Sequence, residues 1–97
     1  MNKNVIELYN KALAVVLDEN GITAEQMFGC NSETCVEART SLIVGLNRLG
    51  VSDKDIAELT HKMRRCSVCK IRNRFNDRTA SWTVKMCIDH LNSLKNS

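Results

Sequence analysis

A chain of 97 residues that is 43% hydrophobic and 26% charged, with no proline and four glycines, describes one small domain able to bury its own core and favouring helices over turn-rich sheet. No apolar run approaches the roughly 20 residues of a membrane span, and the opening MNKNVIELYNKALAVVLDEN shows acids and amphipathic spacing where a signal peptide would not, so a cytoplasmic protein is expected. The net charge of +3 conceals an asymmetry: residues 1–61 carry five bases against nine acids, residues 62–97 nine bases against two.

Val5, Leu8, Tyr9, Ala12, Leu13, Val15 and Val16 fall on one broad helical stripe, and Asn20-Gly21 stops it with a glycine suited to the left-handed region. Thr23 is expected to cap a short second helix through Phe28, ended by Gly29. A third helix is predicted over residues 32–48, turning Val36, Leu42, Ile43, Leu46 and Leu49 inward, with Gly50 closing it. Ser52 followed by Asp55 is a capping-box variant that opens a fourth helix, with Ile56, Ala57 and Leu59 as its core residues. A break over residues 60–63 precedes a basic fifth helix, whose inward face is Val68, Ile71 and Phe75 at i, i+3 and i+7. Asp77 or Thr79 is expected to cap a last helix that buries Trp82, Met86, Ile88 or Cys87, and Leu91, ahead of a polar tail over residues 95–97. The fold class is therefore all-α: a compact bundle of five to six helices in a single domain, 1–97.

The segment SDKDIAELTHKMRRCSVCKIRNRF, residues 52–75, places an acidic amphipathic helix, a short break and a basic helix in succession, the pattern of a helix-turn-helix. Seven bases, Lys62, Arg64, Arg65, Lys70, Arg72, Arg74 and Arg78, fall between residues 62 and 78 and are opposed only by Asp77. Such a run could be a solvated surface, but it lacks the interleaved acids that form i,i+4 pairs and so reads as a phosphate-binding face. Arg64 and Arg65, at the start of the basic helix, stand where base edges are met, and arginine to guanine is the commonest specific contact. Ser67 and Lys70 suit phosphate or base-edge hydrogen bonds, and Arg72 and Arg74 the DNA backbone, with Lys62 beside them. Double-stranded DNA is the expected partner.

From Val5 to Phe75 the order of elements resembles the C-terminal DNA-binding domain of the bacterial replication initiator DnaA, within the Trp-repressor-like helix-turn-helix group. The parallels are an amphipathic helix, a short second helix (ITAEQMFG), the pair Ala38-Arg39 opening a long apolar helix, and Ser52, Asp55, Ile56 and Ala57 before the recognition helix. The family's recognition core falls on residues 63–68, where Ser67-Val68 matches and the base-reading Asp and His positions hold Arg64 and Arg65. The resemblance implies a DNA-facing helix, with no ATPase module because the chain has no phosphate-binding glycine loop. It also implies a phosphate contact for Arg39, for which the residues themselves equally allow a salt bridge to an acid such as Glu58. A small bacterial or phage regulator, or an accessory protein of replication or of a mobile element, is the expected class.

Two alternatives compete with that reading. Cys30, Cys35, Cys66 and Cys69 form C-x4-C and C-x2-C pairs, a spacing that tetrahedral zinc tolerates, so a zinc-stabilised small domain is one. A protein-interaction or structural domain on the same scaffold, without specific DNA recognition, is the other. Core packing is the simpler account of the cysteines, so neither metal nor other cofactor is expected. His61 reads as a surface residue at the break, and His90 as a favourable charge at a helix C-terminus. No Ser-His-Asp grouping or paired-carboxylate cleft is legible, and no enzyme or small-molecule substrate is expected.

Overall fold

The computed structural model describes residues 3–94 and is all-helical among them. Six helices follow in order: α1 Lys3–Asn20, α2 Ala24–Gly29, α3 Glu33–Arg48, α4 Asp53–Thr60, α5 Arg65–Arg74 and α6 Trp82–Ser93. The tail at residues 95–97 lies outside the described residues.

Local chemistry sets most of these boundaries. Thr23 and Gln26 form a full capping box at the start of α2, with the Thr23 hydroxyl accepting from Gln26 N–H at 3.2 Å and the Gln26 side chain accepting from Thr23 N–H at 2.9 Å. Ser32 and Ser52 cap α3 and α4 through the N–H groups of Cys35 and Asp55, so half of the expected box at Ser52 is realised. Gly21 (φ +63°) and Gly50 (φ +97°) turn the chain out of α1 and α3 in the left-handed region.

Helix α3 is the hub and packs against every other helix. Ser41, Leu42, Ile43, Val44, Gly45 and Leu46 are all buried in succession, as in a helix surrounded on all sides. Ser41 satisfies its hydroxyl by donating to Glu37 C=O at 2.9 Å. A Cβ on Gly45 would lie 2.3 Å from Leu91 Cδ1 and 3.1 Å from its Cβ; only glycine lets α6 approach this closely. Around this axis Tyr9, Ala12 and Val16 of α1, Met27 of α2, Ile56 of α4, Val68 of α5, and Cys87 and Leu91 of α6 complete the main core. Val44, Val84 and Ile88 form a second cluster against Phe75. Burial, reinforced by Glu19, pushes the Cys87 thiol up to about 12, which makes it a packing group. His90 Nδ1 meets Glu19 Oε1 and ties the last turn of α6 to α1.

Three sequence expectations are corrected. Trp82 is 74% exposed: α6 begins at Trp82, its inward positions are Val84, Cys87, Ile88 and Leu91, and Trp82 falls on the opposite side of the turn. The cap is Ser81, whose hydroxyl accepts from Val84 N–H at 3.3 Å, because Asp77 is engaged by Arg48 at 3.1 Å and Thr79 sits inside a turn closed on Asn76 C=O. Val36, expected inward, is 45% exposed and borders a shallow groove with Ala80 and Val84.

A candidate nucleic-acid interface

Helices α4 and α5 pack on each other and are joined by residues 61–64. Helix α4 ends with His61 in the left-handed region at φ 55°, its N–H donating to Ala57 C=O at 3.3 Å. A non-glycine residue held there marks a sharply defined turn. Val68 is fully buried and Ile71 and Phe75 are half-buried, so the expected inward face anchors α5 on the core.

That anchoring leaves Ser67, Lys70 and Arg74, at i, i+3 and i+7, on one flank of α5. They line a groove of about 440 Å³ together with Phe28, Arg39, Lys62, Met63, Arg64 and Ile71. Five of its nine lining residues, Arg39, Lys62, Arg64, Lys70 and Arg74, are basic and none is acidic. Like charges concentrated over a partly apolar floor raise the local attraction for anions.

Arg39 reaches this groove from α3, a different part of the chain. Its Nη2 donates to Cys30 C=O at 3.1 Å and to Asn31 Oδ1 at 3.3 Å, while Nε is buried without a hydrogen-bond partner. Among the described residues the ion pairs are Arg48–Asp77, Arg72–Asp53 and His90–Glu19, so Arg39 holds no salt bridge to Glu58.

The start of α5 differs from those of α2, α3, α4 and α6. Thr23, Ser32, Ser52 and Ser81 each accept a backbone N–H, whereas Arg64 occupies the N-cap of α5 and provides no side-chain cap. The first turn of α5 therefore has free N–H donors, bases in place of acids, and the positive end of the helix dipole.

Two expected DNA-facing residues lie elsewhere. Arg72 is on the far flank, where Nε and Nη2 grip both oxygens of Asp53 at 3.0–3.2 Å. The Asp53 carboxylate holds the Arg72 guanidinium charged, above its ordinary range. Arg65, exposed at the first position of α5, shares that flank by helical period and does not line the groove. The sequence reading overlooked Phe28 and Met63 in the groove floor and Asn31 as a holder of Arg39; none of them carries a charge or a motif that would have singled it out.

The four-cysteine zinc set is not assembled. Among the described residues no three His, Cys, Asp or Glu side chains stand together as a metal site. Cys30 ends α2, Cys35 lies in the first turn of α3, and Cys66 and Cys69 are on α5, where Cys69 Sγ accepts from Asn73 Nδ2 at 3.3 Å. No protein-family model, curated protein or solved structure matches the chain.

Proposed function

We propose that the chain is a double-stranded DNA-binding module, with α4, residues 61–64 and α5 acting as a helix-turn-helix and α5 set against the major groove. The observation that carries this reading is the convergence of Arg39, Lys62, Arg64, Lys70 and Arg74 on one groove that no acid lines. In this reading Lys62, Lys70, Arg74 and Arg39 take phosphates, and each contact releases condensed counterions. Arg64, at the leading end of α5, meets base edges, and Ser67 donates to a phosphate or a base. Arg72 is left out, because Asp53 already satisfies it. A small cytoplasmic regulator, or an accessory protein of replication or a mobile element, is the matching class.

The test is equilibrium binding to duplex DNA across salt. Four phosphate contacts give a slope of log affinity against log salt of about −4. Absence of binding at about 50 mM salt overturns the reading. It would favour an interaction domain, for which a shallow groove lined by Val36, Ala80 and Val84 and edged by Glu33 and Glu37 is the supporting feature.

A further inference from the structure

The basic groove has a floor that duplex phosphates do not need. Phe28 of α2, Met63 of the connection and Ile71 of α5 are half-buried: each packs against the main core and also lines the groove. The backbone of a duplex is held by cations and neutral hydrogen-bond donors. Apolar side chains set among five cations offer a surface that charged oxygens do not reward and that the flat face of a nucleobase does. In a paired duplex that face is covered by the neighbouring base pairs. Only an unstacked base can present it.

The size of the groove and the state of Arg39 agree with such an occupant. At about 440 Å³ the groove falls within the range of clefts that take small molecules, with room for far more than one phosphate. Arg39 reaches it from α3 and is steadied through Nη2 by Cys30 C=O at 3.1 Å and Asn31 Oδ1 at 3.3 Å. Its Nε is buried without a partner, a condition that few buried donors are left in. A phosphate oxygen in the groove satisfies that donor once the guanidinium turns towards it.

We propose that the groove receives one unstacked nucleotide, its base against Phe28, Met63 and Ile71 and its phosphate on Arg39. Among DNA ligands this selects a duplex with a single-stranded tail: α5 takes the paired part and the groove takes the first unpaired residue. The preference for a tailed duplex rests on the functional reading above; the nucleotide site itself does not. Every base has a π-face, so stacking on Phe28 reads where the tail begins and is tolerant of its sequence. Lys62, Lys70 and Arg74 keep the flanking phosphates.

The experiment measures binding of the full chain to one duplex prepared in several forms: blunt, with one unpaired thymidine at the 5′ or the 3′ end, and with an abasic residue in place of that thymidine. One of the two tails should bind roughly tenfold more tightly than the blunt duplex, the scale of a base–aromatic stack. The abasic tail keeps the phosphate and should lose most of that gain. Phe28→Leu keeps an apolar residue on the core and removes the aromatic face, so it should reduce the gain while leaving blunt-duplex affinity near that of the parent. An iodouracil at the unpaired position should photocross-link to Phe28, within the tryptic peptide of residues 12–39, and this readout needs no variant to fold. Equal binding of blunt and tailed duplexes, a gain that the abasic tail keeps in full, or a cross-link confined to α5 overturns the proposal. Tight binding of the blunt duplex with no effect of a tail would leave the duplex reading standing alone. Binding of tailed DNA with the Phe28 cross-link, and none of the blunt duplex, would count against the duplex reading and for the nucleotide site.

Discussion

Helices α4 and α5 are neighbours in the chain, similar in length and packed together, yet they are built to different ends. Helix α4 starts with a serine cap and two acids, Asp53 and Asp55, that complement its dipole. Helix α5 starts with Arg64 and Arg65, uncapped, its dipole opposed by its own side chains. A sequence tuned only for stability would give both the first treatment, and conflicts of this kind concentrate where function is carried. In the proposed reading helix α4 is the brace and α5 the working surface.

The largest effect should come from breaking the brace. Ile56 is fully buried in the main core, so Ile56→Ala should cost about 3 kcal/mol in denaturant unfolding. Single alanines at Lys62, Arg64, Lys70 or Arg74 should leave the unfolding midpoint near that of the parent. A comparable loss of stability from an α5 cation would erase the distinction between the two helices.

Next come the binding effects. Arg64→Ala should weaken a selected site by about 1–3 kcal/mol and change which sequence is preferred, whereas Arg65→Ala, off the groove, should change binding little. Lys70→Ala and Arg74→Ala should weaken selected and scrambled duplexes alike, each reducing the salt slope by about one unit. Competition binding with both duplexes separates the groups. A uniform loss across Arg64→Ala, Lys70→Ala and Arg74→Ala would leave a nucleic-acid binder without sequence preference.

The brace was more legible in the sequence than the working surface. Caps at Thr23, Ser32 and Ser52 and the glycine stops at Gly21 and Gly50 act within three or four residues of themselves, so pattern alone located the helices. Trp82 was misplaced because its side depends on where α6 begins, and the true cap, Ser81, competed with Asp77 and Thr79 over a few residues. At the groove, composition marked the α5 cations but could not sort them by flank. The Arg72–Asp53 pair joins two helices, and Arg39 is separated from α5 by all of α4, so both placements follow only from packing around α3.

A smaller effect tests whether α5 gives up stability at its start. Ser52→Ala should destabilise by about 1 kcal/mol, as the loss of a working cap does. Arg64→Ser should do the reverse, adding about 0.5–1 kcal/mol of stability by capping α5 while weakening DNA binding. Thermal melts and anisotropy on the same two proteins measure both signs. If Arg64→Ser is destabilising, Arg64 holds the connection in place and the view of α5 as a helix left open for a ligand is wrong.

The smallest expected effect lies where brace and working surface meet. Asp53, in the capped first turn of α4, receives a two-pronged grip from Arg72 near the end of α5, and the pair ties the two helices together. Arg72→Ala should lower the melting temperature modestly and leave the salt slope unchanged, since a guanidinium already on a carboxylate releases few counterions from DNA. Asp53→Asn should lower the melting temperature similarly, and the double variant should be no worse than either single, the pattern of one shared interaction. On DNA the two singles should diverge. Asp53→Asn frees a cation at the edge of α5 and removes a nearby negative charge, so affinity should rise and the slope steepen by up to one unit. Equal weakening of DNA binding by both would mean that the pair serves the interface by holding α5 at one angle, and the line between the two helices would have to be drawn through α5 itself.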